Sequence, residues 1–326
     1  MENRWDFSHV GLVVNDKDKV LEYYQSLGIG VRVGPQPPNP TPPSTEKRPR
    51  VTTLIYGKSI DIDWSRPTEE KTSLEGNLQI GSLQLEVLLT PPVSFQWRYS
   101  EKVSEGVSHM CFNVPEIKEK TAQLVQKGCQ VVFSVEQEGW IGENYLDTSK
   151  YGGVWLSMRP PKDNWFRQWE ASRLKQSVNN WKFRGVGLAI RDLDKSVEYY
   201  QSLGIGTFQP EVIFDSSVFE DFKVNWKHSN TTVKARTRMA QIGPLLYEFV
   251  QPLEGETIYT EALNSRGEGI NDIVFTVEDL DKEVAKLVKK GASVILSGRP
   301  QNGSAFAYID TRRDGGNIMV RLIQAQ

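Results

Sequence analysis

Three histidines occur in the 326-residue chain, and two of them, His9 and His109, sit at the start of similar strand-like runs, SHVGLVV and SHMCFNV. A strand alternates its side chains, so residues two apart share a face. His9 then shares a face with Gly11 and Val13, and His109 with Cys111 and Asn113. In the run Leu83–Leu89, one face is Leu83, Leu85, Val87 and Leu89, the core side. Glu86 therefore points the opposite way, onto a mixed face between Gln84 and Leu88. A carboxylate shielded from water there costs several kcal/mol unless it is paired, hydrogen-bonded or bound to a cation. Two neutral imidazoles and a carboxylate form a ligand set for a catalytic divalent transition metal. Taken singly, each reads more plainly as a strand-end histidine or an acid facing water. The equivalent placement of the two histidines in successive repeat units favours a joint site, and Glu86 follows. His228 lies in the polar turn Lys227-His228-Ser229-Asn230 and reads as a surface residue. The two cysteines, Cys111 and Cys129, are too few for a disulfide framework or a thiolate metal site and read as small buried hydrophobes.

The elements that must position these residues follow from an internal repeat. VGLVVNDKDKVLEYYQSLGIG from Val10 returns as VGLAIRDLDKSVEYYQSLGIG from Val186. Trp64 to Glu86 aligns without gaps onto Trp226 to Glu248, and Ser108 to Ser134 onto Asn271 to Ser297. That register runs on through Asp147 and Asp310 to the pairs Gly152-Gly153 and Gly315-Gly316. Residues 1–162 and 181–326 thus read as two copies of one domain, joined by a linker, 163–180, whose segment Asn164–Gln176 is expected to contain a short helix. The first copy also carries a proline-rich insertion, Pro35 to Pro49, read as an irregular surface loop. Each copy holds a finer repeat of strand, helix and further strands. Asp16 is placed to cap a helix whose apolar face is Val20, Leu21, Tyr24 and Leu27, and Gly28 is placed to end it. Pro115 marks the start of a second helix with stripe Ile117, Leu124 and Val125 and stop Gly128. The unit occurs four times, which gives an α+β architecture.

With 39 basic against 41 acidic side chains, nothing attracts nucleic acid or an anionic membrane surface. No apolar run approaches the roughly 20 residues of a membrane-crossing helix, and the N-terminus lacks a secretion core, so the expected location is cytoplasmic. Nine tryptophans, 11 tyrosines and 13 phenylalanines can furnish a pocket as well as a core. Trp155 shares a face with Ser157, and Trp140 falls in a loop before the last strand pair. Both are candidates for an aromatic substrate wall, set against ordinary core packing, where Trp64 and Trp226 belong.

These residues carry a resemblance to the vicinal oxygen chelate superfamily, which includes glyoxalase I, methylmalonyl-CoA epimerase, extradiol dioxygenases and the fosfomycin and bleomycin resistance proteins. It is strongest at SHVGLVVNDKDKVLEYYQSLGI, EGVSHMCFNVPEI and YGGVWLSM. The resemblance implies tandem paired βαβββ modules, four in two repeated domains, each pair forming a cup with metal ligands from the first and last strand of each module. Those positions are His9, Glu86, His109 and Ser157. Serine departs from the glutamate usual in epimerase and glyoxalase members. In the second half the equivalents are Gly185, Glu248, Asp272 and Val320, so that copy reads as degenerate.

The expected cofactor is one divalent ion (Fe, Mn, Co, Ni or Zn) on His9, Glu86 and His109. Ser157 in place of a fourth ligand enlarges the opening. Such a site can hold two neighbouring oxygens of a substrate and act as a Lewis acid. Three functions follow. The first is isomerisation, epimerisation or elimination of a hydrophobic or ring-bearing carbonyl compound through a metal-stabilised enolate. The second is iron(II)-dependent dioxygenation of an aromatic or a ketone. The third is sequestration of a small molecule without turnover. Ser157 and Tyr145 are candidate catalytic residues; Glu143 and Glu138, in the same segment, read as surface or strand residues. Asn113, Trp155 and Trp140 are candidate substrate contacts. A homodimer is compatible with the sequence.

Overall fold

The computed structural model describes residues 5–34, 52–55, 58–60, 75–89, 105–137, 140–225, 227–228, 232–301 and 303–326. The first half opens with β1 (Asp6–Val14), α1 (Lys17–Ser26) and the short β2 (Val31–Val33). A hairpin, β3 (Thr52–Ile55) and β4 (Lys58–Ile60), precedes β5 (Glu75–Ile80) and β6 (Leu83–Leu89). The plan repeats as β7 (Gly106–Asn113), α2 (Ile117–Gln126), β8 (Gln130–Gln137), β9 (Trp140–Asp147) and β10 (Trp155–Arg159). These strands form one sheet in the order β2-β5-β6-β1-β7-β10-β9-β8-β3-β4. At its centre β1 runs parallel to β6 and antiparallel to β7, and β7 runs parallel to β10. Two βαβββ modules therefore meet along β1 and β7. The hairpin β3–β4 leaves its own module and pairs with β8 of the other.

After α3 (Asn164–Leu174) the second half repeats the arrangement: β11 (Lys182–Ala189), α4 (Leu193–Leu203), β12 (Thr207–Phe208) and β13 (Val212–Asp215). Then come β14 (Phe219–Val224), β15 (Lys227–His228), β16 (Lys234–Ile242) and β17 (Leu245–Glu254). Its last module holds α5 (Ile258–Ser265), β18 (Gly269–Val277), α6 (Leu280–Lys289), β19 (Ser293–Pro300), β20 (Phe306–Asp310) and β21 (Met319–Gln324). The sheet order β12-β16-β17-β11-β18-β21-β20-β19-β14-β15 matches the first half position for position. The architecture is α+β, with four βαβββ modules in two repeated domains.

Local signals act where the sequence places them. Asp16 accepts the Lys19 amide at 3.0 Å, capping α1, and Gly28 takes φ 69° after its end. Val20, Leu21 and Tyr24 are buried beneath. α2 differs from expectation: Pro115 and Glu116 form a turn, with Glu116 at φ 54°, and the helix starts at Ile117. Its buried stripe is Ile117, Thr121 and Leu124, while Val125 is exposed. At about 100° per residue Val125 stands about 80° round from Ile117 and about 100° from Leu124, at the edge of the stripe. The proline-rich stretch, Trp64 and Trp226 lie outside the described residues.

One apolar core runs through both halves, joining Val10, Leu12 and Leu85 to Val186, Leu188 and Phe249. The contacts between halves are paired. Tyr24 on α1 donates to the Gly315 carbonyl at 3.0 Å, and its repeat partner Tyr200 on α4 donates to the Thr148 carbonyl at 3.4 Å. Each half's first helix thus packs on the glycine turn of the other half's last module.

Candidate metal centre

Strand register brings the three donors together. Gly11 on β1 pairs with Glu86 on β6 and with His109 on β7, so both side chains flank one glycine. His9, two residues earlier, shares the face. A Cβ at position 11 would overlap the His109 ring, so the space the imidazole occupies exists because residue 11 has no side chain. The His9 Nε2 and His109 Nε2 atoms are 3.2 Å apart, and Glu86 Oε2 lies 3.3 Å from the first and 3.6 Å from the second. Both histidines are 1% exposed; the Glu86 side chain, at 12%, is the more open member.

Those separations suit a cation. Ligands at about 2.0–2.2 Å from one ion, at tetrahedral or octahedral angles, stand about 3.0–3.5 Å from one another. The rings are also oriented for it. Ser108 Oγ donates to the Gly11 carbonyl at 3.1 Å, so its lone pair is what meets His109 Nδ1 at 2.9 Å. Ser8 Oγ stands 3.1 Å from His9 Nδ1. With hydrogens on both Nδ1 atoms, both Nε2 lone pairs face inward, the tautomer that ligation requires. Two lone pairs at that distance repel unless a positive charge lies between them. A proton can supply one: burial opposes it, but Cys111 and Glu86 push the His9 pKa up to about 9. Burial likewise raises Glu86, and the charge on a protonated His9, which can then donate its Nε2–H to the carboxylate, reverses this and holds the carboxyl well below the usual range. Burial and the His9 charge lower the pKa of His109. Among the described residues, this His–Glu–His group is the cluster whose donor atoms could hold a metal ion.

Ser157 is buried on the same face, beside Cys111 at 3.4 Å, and does not join the three donors. Its hydroxyl donates instead to Glu143 Oε1 at 3.1 Å. Glu143 also accepts from Arg159 Nε at 2.8 Å. Burial raises the Glu143 carboxyl, but the guanidinium more than offsets this and keeps it below the usual range. Of the two readings of Glu143, surface or strand, the strand one describes it: β9 turns it toward β10, and its carboxylate reaches the place where the fourth strand offers only serine. The sequence signal was its position two residues from Tyr145 on an alternating strand. Tyr145 packs its ring edge-on to His109, centroids 4.9 Å apart. Burial, with Glu143 and Glu86 nearby, drives its phenol pKa well upward, so it is a neutral hydroxyl. Trp155 pairs with His109 in register and stands 6.4 Å from the Tyr145 ring, at the edge of this cluster. Trp140 begins β9 rather than lying in a loop. Asn113 is buried four residues beyond His109 and donates to the Pro160 carbonyl at 2.8 Å, away from the three donors. Glu138 and the His228 side chain lie outside the described residues.

The second half departs from expectation at one position. Gly187 pairs with Glu248 and Asp272 as Gly11 does with Glu86 and His109. On the last strand, however, Val274 pairs with Arg321 where Cys111 pairs with Ser157. The counterpart of Ser157 is therefore Arg321, not Val320, which faces the core. One extra residue after Gly316, where Asn317 takes φ 60°, shifts the register and turns every side chain of β21 over. Arg321 spans the two acids, Nε to Asp272 Oδ2 at 2.9 Å and Nη1 to Glu248 Oε2 at 2.5 Å. A Cβ at Gly185, the counterpart of His9, would fall onto the Leu246 carbonyl oxygen, so no ligand fits there. A guanidinium thus stands between the two acids at the positions equivalent to Glu86 and His109.

Residues 6–156 match the model of the glyoxalase/bleomycin resistance protein/dioxygenase superfamily, and residues 184–308 match a second model of the same superfamily. The chain belongs to this superfamily. Among solved structures, a variant of 4-hydroxymandelate synthase from Streptomyces coelicolor superposes with a TM-score of 0.63 at 12% identity, over 98% of this chain and 92% of its own. A catechol 2,3-dioxygenase gives 0.52 at 10% identity, over 100% and 94%. A fusion of a xylose isomerase-like barrel with 4-hydroxyphenylpyruvate dioxygenase gives 0.52 at 13%, over 99% of this chain and 49% of its own. At these identities the likeness is one of fold. No curated protein sequence is similar enough to this superfamily member to register as a relative. No helix among its described residues is long and apolar enough to cross a membrane.

The role of Gly11 gives a direct expectation. Gly11→Ala should displace the His109 ring and weaken metal binding by at least the 10–100-fold typical of disturbing a ligand's support. Titration of the metal-free protein with cobalt(II), followed by its visible bands, checks this. Unchanged affinity would mean that residue 11 does not position His109.

Proposed function

We propose that this protein is a metal-dependent enzyme, with domain one (1–162) carrying an iron(II) site on His9, Glu86 and His109 and oxidising an aromatic or ketone small molecule with dioxygen. The observation that carries this reading is the count of donors: two imidazoles and one carboxylate converge, and the fourth strand contributes Ser157, engaged elsewhere. Two histidines and one carboxylate with open positions are the donor set of non-haem iron(II) oxygenases. Two of the whole-chain structural likenesses are to a catechol dioxygenase and a 4-hydroxyphenylpyruvate dioxygenase fusion, which agrees. Bound there, iron(II) would supply dioxygen activation and a Lewis acid for two neighbouring substrate oxygens.

The chain's own residues supply the remainder. The serine-anchored imidazoles hold their Nε2 atoms inward. Tyr145, kept neutral, offers a hydroxyl as a hydrogen-bond donor, and Trp155 walls the cluster. Glu143, held ionised by Arg159, can accept a proton beside Ser157. That buried carboxylate favours the second reading, enolate isomerisation or epimerisation on a cobalt, manganese, nickel or zinc ion.

The two readings separate in one experiment. Protein loaded anaerobically with iron(II) is given aromatic 2-oxo acids and catechols, and oxygen uptake is recorded. The other metal forms are assayed in deuterated water for exchange of the substrate's α-proton. Oxygen uptake confined to the iron form is expected. Exchange without oxygen, supported by cobalt or nickel, would replace oxygenation with enolate chemistry. Failure of every metal to bind stoichiometrically would leave sequestration.

A further inference from the structure

The geometry points to a second small-molecule site in the other half of the chain: a metal-free cup whose floor is the Arg321 guanidinium and whose ligand is an uncharged ring-bearing molecule carrying a hydroxyl group, a carbonyl group or both. A cavity of about 470 Å³ opens there, within the 300–1,000 Å³ range of small-ligand sites. Its walls include Phe214, Phe219, Phe306 and Tyr308, with ring centroids 5.1 Å apart for the first two and 5.8 Å apart for the last two. At its mouth Val212, Ile213 and Val218 are 59%, 53% and 62% exposed, an apolar lip that water meets directly. Exposed large aliphatics grouped at the rim of an apolar cavity mark a binding site more than a folding requirement.

The floor selects the ligand. Arg321 uses Nε and Nη1 on Asp272 and Glu248, and Nη2 has no hydrogen-bond partner among the described residues. Glu248 accepts through Oε2, leaving Oε1 likewise without a partner among those residues. The floor thus presents an N–H donor beside a carboxylate acceptor, which suits a carbonyl or hydroxyl group. One guanidinium set against two carboxyls leaves no surplus positive charge for an anion. Behind Arg321, a smaller cavity of about 360 Å³ borders Gly185, where the first half carries His9; the two cavities share Glu248, Ser304, Arg321 and Ile323. With glycine rather than an imidazole at that position the space is open, and the guanidinium gives the cup a polar end.

The test uses the whole chain and three diphenyl probes: 4-hydroxybenzophenone, diphenylmethane and 4-benzoylbenzoate. Each is made to displace the uncharged fluorophore 1-N-phenylnaphthylamine. Displacement should be at least tenfold more effective for 4-hydroxybenzophenone than for either other probe. His109→Ala should leave its affinity unchanged, which separates this site from the metal centre. The exposed-lip variant Ile213→Glu/Val218→Glu should weaken it at least tenfold with the thermal midpoint retained. Irradiation of bound 4-hydroxybenzophenone, followed by peptide mass spectrometry, should label residues within 212–219 or 296–308. Labelling confined to the first half, or affinity unmoved by the lip variant, would overturn the site. Tighter binding of 4-benzoylbenzoate would overturn the ligand class.

Discussion

His109→Ala is expected to lower metal content from near one ion per chain to near zero, weaken affinity more than 100-fold, and abolish metal-dependent turnover. Outer-sphere disturbances already cost 10–100-fold, and this change removes a ligand outright. The two remaining donors, 3.3 Å apart, would form only a His9–Glu86 pair. His109→Gln keeps much of the volume packed against Tyr145 and serves as a control for folding. Asp272→Asn, at the equivalent place in the second half, should leave metal content untouched, because its partner is already the Arg321 guanidinium. Elemental analysis of the three purified variants decides the matter. Full metal content in His109→Ala would remove the proposed site, and loss of metal in Asp272→Asn would show that it lies in the other half.

Arg321→Met should destabilise the protein by about 3–5 kcal/mol at neutral pH, the cost of breaking a buried ion pair from one side. Arg321 is 6% exposed and Asp272 fully buried, so removing the guanidinium leaves a buried carboxylate without its cation. The pH dependence has a definite sign. Burial already raises the Asp272 carboxyl above its ordinary value, and without Arg321 it rises further. An acid whose folded pKa lies above its unfolded one disfavours folding when ionised, so the penalty is full at high pH and shrinks as pH falls through the raised value. Urea unfolding at pH 7.5 and pH 5 should show the variant's deficit narrowing in acid. Adding Glu248→Gln and Asp272→Asn should restore part of the stability at pH 7.5. A deficit under about 1 kcal/mol would mean that the bridge is not the buried pair described.

Much of this molecule is legible in its sequence. The helix over Lys17–Ser26 was readable because its cap, stripe and stop are local. Glu86 was readable because Leu83, Leu85 and Val87 leave it no other face. Glu143 was not, because its role depends on β9 lying beside β10 with Arg159 opposite it, a pairing that neither segment announces. The cavity behind Phe214 and Phe306 was hidden for the same reason: its walls come from strands far apart in the chain.

The sequence by itself determined the four repeated units and placed two imidazoles at equivalent strand starts and one acid on the face opposite the core side, since caps and a two-residue alternation act over a few neighbouring bonds. Tertiary structure decided which residues stand at the centre of each cup. One additional residue after Gly316 inverts the last strand, so Arg321 rather than Val320 meets Asp272 and Glu248. Gapless alignment cannot register that, because side-chain direction in a strand depends on how it is hydrogen-bonded to its neighbour.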